Sequence, residues 1–449
     1  MKEERLATEP VGRLLFRLAI PAIAAQIINV LYNIVDRMFI GHIEGIGADA
    51  LTGVGVSLPV IMAVSAFAYL AGMGGAPRAA IMMGRGERAS AERVLGNCFL
   101  LLLCISAALT AVILVWGRDI LMAFGASDNT IGYGWDYLKI YAVGTVFVQV
   151  TLGMNAFITA QGYAGMSMIT VLIGAVLNTA LDPVFIFALD MGVRGAAVAT
   201  VISQAVSAMW AVKFLVSEKP SLRLKTGCMR PEAKVILPCI ALGLSPFVMQ
   251  FTESIISVCF NSSLLKYGGD MAVGAMSILA TIMQFVWLPM QGMTQGAQPV
   301  TSYNYGAGNY GRVKRTIKLL ITCCLSYSVV LWAVCMLLPQ VFIHFFTNDA
   351  ELVGEAVWAI RIYMAASLLF GIQVACQQSF IALGNARTSI FLAVFRKIIM
   401  LIPLIFILPL FMEDKVMAVF MAEPVADACA VALTGTLFFR AYRKLPADQ

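Results

Sequence analysis

Long apolar runs, broken at intervals by clusters of charge, glycine and proline, set the pattern of this 449-residue chain. A helix needs roughly 20 apolar residues to cross a bilayer. Twelve stretches reach that length, six of them near 18–41, 50–76, 94–116, 135–161, 167–190 and 195–212. The other six lie near 235–261, 271–297, 319–345, 362–383, 389–411 and 416–438. Between the sets, 213–234 is the only long polar connection, and it carries two prolines. The pattern predicts an all-α integral membrane protein of twelve transmembrane helices in two six-helix lobes. The lobes cover 1–212 and 235–449, with 213–234 as the linker.

The two halves also resemble each other. GMGGAPRAAIMMGRGERASAER at 72–93 returns in altered form as GMTQGAQPVTSYNYGAGNYGRVKR at 292–315. Gly84, Gly86 and Arg93 map onto Gly306, Gly308 and Arg315, each 222 positions on, and the same offset pairs Tyr141 with Tyr363 and Gly162 with Gly384. The small-residue composition of both stretches reads as matched basic loops, at 78–93 and 298–318. Six spans is an even number, so both copies start on the same side and the lobes form a parallel pseudo-symmetric pair flanking a cleft. Transporters that rock one repeat against the other are built this way.

Composition settles the class: 60% of residues are hydrophobic and 12% charged, far from a soluble domain. With the N-terminus placed in the cytoplasm, 22 of the 31 Lys and Arg residues fall in inside segments. That bias puts both termini inside. The net charge of +6 is therefore a topology signal, and no nucleic-acid partner is implied. No cleavable leader is expected. The ten cysteines show no paired spacing and read as packing residues. There is no GxxxxGK[ST] loop, and His42 and His344 are the only histidines, so neither ATP hydrolysis nor a metal pair is indicated. No hydrolase constellation lies at depth. The expectation is a transporter rather than an enzyme, without cofactor or resident metal, driven by an ion gradient.

Carboxylates inside the spans then become the candidates, because each costs about 2.5–3.5 kcal/mol at mid-bilayer on insertion scales. Asp36 lies in LYNIVDRMFIGH near the outer end of the first helix, and Asp182 in LNTALDPVFIF in the outer half of the fifth. Asn178 precedes Asp182 by one turn on the same face. Two carboxylates sharing a low-dielectric site hold a proton between them or surround a dehydrated Na⁺. The plain alternative is an ion pair between Asp36 and Arg37.

These residues carry a family resemblance. NxVDRxFIGH after a proline-bearing first helix, LNxxLDP in the fifth, and the twice-written small-residue segments together resemble the multidrug and toxin extrusion (MATE) transporters of bacterial type. The resemblance spans essentially the whole chain. It implies a twelve-helix antiporter of the bacterial cytoplasmic membrane that exports organic cations and amphipathic compounds in exchange for H⁺ or Na⁺. Carried over residue by residue, the cation site would comprise Asp36, Asn178 and Asp182 within a polar network of Tyr32, Asn155 and Thr200. Pro21 would mark the bend of the first helix. Glu253, in QFTESIISVCFN, matches an acid of a sodium site in another branch, but the partner Asp of that site is absent from FGIQVACQQ. A monomer is expected.

Two further patterns stand out. Glu423 and Asp427 share a face of the last helix at a depth similar to Arg396 and Lys397 in the eleventh, which predicts a buried structural ion pair. In the eighth helix Ser277, Thr281, Gln284, Gln291, Gln295 and Gln298 keep to one narrow face. That stripe reads as a wall of the substrate cleft, with Met283, Trp287 and Met290 as adaptable apolar contacts, or else as interhelical hydrogen-bond glue. Two rival functions remain: a lipid-linked oligosaccharide flippase of related architecture, which usually has two more helices and a cationic cleft, and a non-transporting membrane scaffold or sensor.

Overall fold

The computed structural model describes residues 2–344 and 350–446, and among them every regular element is helical. The end of the ninth expected span and the last three residues lie outside that set. A short α1 (Lys2–Thr8) precedes α2 (Val11–Gly41), α3 (Gly47–Gly84), α4 (Arg88–Ala123), α5 (Ile131–Ala160), α6 (Ala164–Pro183) and α7 (Gly192–Val216). The second half comprises α8 (Ala233–Gly306), α9 (Tyr310–Leu337), α10 (Pro339–His344), α11 (Ala350–Tyr363), α12 (Phe370–Ala382), α13 (Ala386–Val394), α14 (Ile402–Phe411) and α15 (Lys415–Arg443).

Ten helices are long and apolar enough to cross a membrane, and α11 with the Ser367–Ala382 segment makes one more span, bent by 48°. The 74-residue α8 is two spans. A straight helix of that length would reach about 110 Å, several times the hydrocarbon thickness. Gly269, at φ 64° and ψ −160°, breaks it, and the residues on either side, such as Phe260 and Leu264 with Ala275 and Leu279, share one core. The described spans therefore come to twelve. Outward-facing Val115, Leu337 and Phe411 form part of an apolar exterior suited to lipid.

Several expected boundaries shift. Residues 78–84 and 298–306 are the last turns of α3 and α8, and the turns are only 85–87 and 307–309. The expected basic loops are mostly helix. Glycine weakens an isolated helix, but here it permits close backbone approach. The ninth span ends at Leu337 because Pro339 follows, and the tenth begins at Ala350 rather than 362. The tight turns do require glycine: Gly86 and Gly308 have φ of 79° and 77°, and Gly162 and Gly384 have 82° and 75°. Residues paired at an offset of 222 thus share the same left-handed backbone.

The halves meet along a seam of bare backbone. A Cβ added at Gly74 would strike the Cys239 carbonyl, and one at Gly243 the Leu70 carbonyl. Nearer the helix ends, Gly84 abuts the Tyr303 carbonyl and Gly306 that of Ile81. Gly292 and Gly296 pack in the same way on Ile23 and Ala19 of α2. The α3–α8 seam lies toward the end of the bundle that carries both termini. Farther along, Phe67 meets Phe247 edge-on at 4.9 Å, and Ser254 donates to the Met62 sulfur at 3.6 Å. The segment α1 clamps the same end: the Leu6 carbonyl accepts from Asn304 (2.9 Å) and Arg312 (3.0 Å), while the Leu6 side chain is buried.

The 213–234 connection is strapped to the first half. Lys225 pairs with Glu92 at 2.6 Å, Gln161 accepts from the Leu222 amide, and Asn97 accepts from that of Glu232. Leu222 and Leu224 are buried.

Candidate functional site

In the first half, α2 and α6 bring Asp36 and Asp182 together. Both are buried, and their carboxyls face each other within hydrogen-bonding reach. Two carboxylates that close repel unless a proton or another cation lies between them. The Asn178 amide donates to Asp182 and to the Thr200 hydroxyl of α7, each at 3.3 Å. One oxygen each of Asp36, Asp182 and Asn178 is buried without a protein partner. Buried oxygens are rarely left unsatisfied. The cluster is thus arranged to receive something positive. A π-turn, Val184–Ala188, begins immediately after Asp182 and Pro183, and such turns recur at functional sites. Arg37 is exposed and forms no ion pair with Asp36 among the described residues.

Tyr32 lies one turn from Asp36 and contacts Asn33 and Gln204. Tyr137 of α5 reaches Thr200 and stacks on Tyr141, with ring centroids 6.2 Å apart. Tyr137 and Gln204 went unmarked in the sequence, and Tyr141 was noted only as half of a repeat pair. Neutral polar residues on separate helices give no local signal. Asn155 makes no hydrogen bond to any member of the cluster, and its Oδ1 is buried without a partner. Pro21 sits about 22 Å along α2 from Asp36, at roughly 1.5 Å per residue, and the helix is continuous through it.

The second half holds a different cluster. Arg396 pairs with Asp427 at 2.7 Å and with Glu423 at 3.1 Å, and stacks over Phe370 at 4.8 Å. Lys397 does not share those acids as its partners; it reaches 2.8 Å to Glu253, 144 positions earlier. Glu253, the second-half candidate whose sodium-site partner Asp is missing from the sequence, is thus held by a lysine. One expectation is corrected: the ion pair foreseen among Arg396, Lys397, Glu423 and Asp427 is a five-residue network that includes Glu253. A π-turn over Phe395–Leu401 carries both cations, buried at consecutive positions.

The glutamine face of α8 is partly open: Gln284 is exposed, Gln291, Gln295 and Gln298 are half-buried, and no side-chain amide among them has a protein hydrogen bond. The apolar contacts expected beside it face elsewhere. Met290 is fully buried in the second-half core, and Met283 and Trp287 pack against that core, with Trp287 5.7 Å from Phe370. They flank the stripe at about 60–120° around the helix, which turns them inward. Among the described residues no group of His, Cys, Asp and Glu is arranged to hold a metal.

Comparison with known proteins decides the family. The MatE family model matches residues 21–184 and 246–407, in two blocks. The chain belongs to the MatE family. MatE members are membrane transporters, not enzymes, and this one is a multi-pass transporter. It is 26% identical over 415 residues to the multidrug export protein MepA of Staphylococcus haemolyticus, covering 91% of this chain and 90% of that one. Among solved structures it resembles the MATE multidrug transporter DinF-BH, there bound to a ligand, with TM-score 0.90 and 34% identity over 98% of both chains. A MATE in the bent conformation superposes with TM-score 0.92 over 99% of this chain and 98% of that one, at 22% identity, which speaks to the fold. The two matched blocks divide this MatE chain much as its paired glycines do.

Proposed function

We propose that this protein is a secondary antiporter that exports cationic or amphipathic drugs and toxins across the bacterial cytoplasmic membrane in exchange for H⁺ or Na⁺. The observation that carries the reading is the facing of Asp36 and Asp182, with three buried oxygens in the cluster left without partners. Such a site is most stable when it holds one cation, and releasing that cation to the opposite side costs free energy that a gradient supplies. The likeness to multidrug exporters supports the choice of cargo.

Both termini lie on the cytoplasmic side, as the distribution of Lys and Arg indicates. The glycine seam then closes the cytoplasmic end, and the structure is the outward-facing member of an alternating-access pair. Cation entry at Asp36 and Asp182 favours return to the inward-facing state for another load, with Pro21 as the point where α2 bends. The test is substrate-driven proton flux in proteoliposomes, repeated with a Na⁺ gradient in place of the pH gradient. Wild-type protein should move one of the two ions against ethidium. Asp36→Asn should abolish exchange while remaining in the membrane; undiminished exchange by that variant would sink the assignment.

A further inference from the structure

Two of the cysteines meet across the halves. Cys98 of α4 and Cys239 of α8 are free thiols, fully buried, and lie within hydrogen-bonding reach of each other. Successive glycines of α3 make room for them. A Cβ added at Gly75 would collide with the Cys98 sulfur, and one at Gly74 with the Cys239 carbonyl. Cys239 also donates to the Val235 carbonyl, one turn back, at 3.1 Å. A second group of neighbouring thiols has no such placement. Cys324 lies near Cys323 and Cys376, but α9 and α12 belong to the same half, so a bond among them would tie nothing across the seam.

Arg78 of α3 stands beside the pair. Its charge reaches both thiols, and its Nε is buried without a hydrogen-bond partner. Among the described residues no carboxylate forms an ion pair with it. Withdrawing a cation from water without an acid costs free energy. Set against two thiols, the guanidinium offers its charge to a thiolate, the form of cysteine that attacks an oxidant.

We propose that Cys98 and Cys239 form a site of reversible oxidation by peroxide, whose disulfide fastens the two halves together at the α3–α8 seam. Peroxide enters while the seam is open. One thiolate attacks a peroxide oxygen; the O–O bond breaks, a sulfenic acid forms on that cysteine, and hydroxide leaves as water with the proton the thiol gave up. Closure returns the partner thiol, which attacks the sulfenic sulfur. The S–S bond forms, the S–O bond breaks, and a second water departs with the second proton. Two electrons thus pass from two thiols to one peroxide, and a reducing dithiol reverses the change by exchange. Opening the seam would then require breaking a covalent bond, so the oxidised protein is held shut. That effect on transport rests on the alternating-access reading above; the bond itself does not.

The experiment treats the purified protein in proteoliposomes with hydrogen peroxide and has two arms. Mass spectrometry of a non-reducing digest should find the peptides of Cys98 and Cys239 linked, and dithiothreitol should separate them. Ethidium exchange by the same sample should be lost on oxidation and return on reduction. Cys98→Ser and Cys239→Ser should each keep their exchange in peroxide, which also shows that methionine oxidation is not the cause. Cys324→Ser should behave as wild type. Absence of the linked peptides after peroxide treatment would overturn the proposal. So would serine variants that lose exchange in peroxide as fully as wild type, or linked peptides that leave exchange untouched. If untreated wild type shows no exchange, the transport reading has failed, and the digest alone still decides whether the bond forms. Should either serine variant elute as aggregate in size exclusion, the alanine variant at that position takes its place under the same criteria.

Discussion

On the alternating-access reading proposed above, the seam between α3 and α8 is the cytoplasmic gate, and that makes a quantitative prediction. At Gly74 an added methyl would meet the Cys239 carbonyl and the backbone of Gly243, neither of which has a rotamer to yield. Overpacking of this kind costs about 1–3 kcal/mol in well-packed interiors. The strain exists only while the seam is shut. Gly74→Ala should therefore shift the equilibrium away from the closed gate by about 5- to 150-fold. Gly55 of the same helix supplies the control, since a Cβ there meets nothing within 4 Å. Gly55→Ala should be neutral, or stabilising by up to about 1 kcal/mol through helix propensity. The readout is already in the molecule: Cys98 and Cys239, adjacent to the seam, are fully buried. N-ethylmaleimide should modify them faster in Gly74→Ala than in wild type or Gly55→Ala, as read by mass spectrometry of peptides. Identical labelling rates in the two alanine variants would refute the idea that backbone contact holds this gate.

Three other outcomes follow from contacts described above. Arg396→Met leaves Glu423 and Asp427 buried without their guanidinium, a loss of about 3–5 kcal/mol; fluorescence-detected size exclusion after heating should show a clear drop in melting temperature, and an unchanged one would count against the network. Asn178→Ala removes both hydrogen bonds that tie Asp182 to Thr200, so exchange should fall about tenfold, whereas Asn155→Ala, bonded to no member of the cluster, should stay within about twofold. Equal losses would place Asn155 back in the site. Arg312→Ala removes the guanidinium from the Glu9 carbonyl and leaves the Leu6 carbonyl to Asn304 alone, and it should raise N-ethylmaleimide labelling of Cys98 and Cys239 as Gly74→Ala does; protection at the wild-type rate would show that Arg312 is not what clamps α1.

The spans were legible because apolar length is a strong signal, and so was the repeat, whose paired glycines share one backbone conformation. Asp36, Asn178 and Asp182 were legible too, since charge in an apolar run stands out and a one-turn spacing fixes a shared face. What escaped were features set by distant partners. Glu253 and Lys397 lie 144 positions apart, and nothing local says which acid a buried lysine will choose. Tyr137 and Gln204 are ordinary residues until α5 and α7 bring them beside Thr200 and Tyr32. The glycine-rich stretches were misread as loops because helix propensity is a local measure, while the reason for those glycines is the helix across the seam. Met290 was misplaced for a related reason: a helical stripe shows which residues travel together, not which side the core occupies.

The continuity of α8 has a mechanical consequence. Cys239 and Gly243, which pack on α3, and Glu253, which holds Lys397, belong to one helix, and Gly269 folds the next span back to bring the glutamine face and Gly306 alongside. Gly243 and Glu253 are about 15 Å apart, at roughly 1.5 Å per residue, with Pro246 between them. Proline removes a backbone hydrogen bond and lets a helix bend there. Movement at the seam therefore reaches the second-half ion network through one helix with a joint built into it.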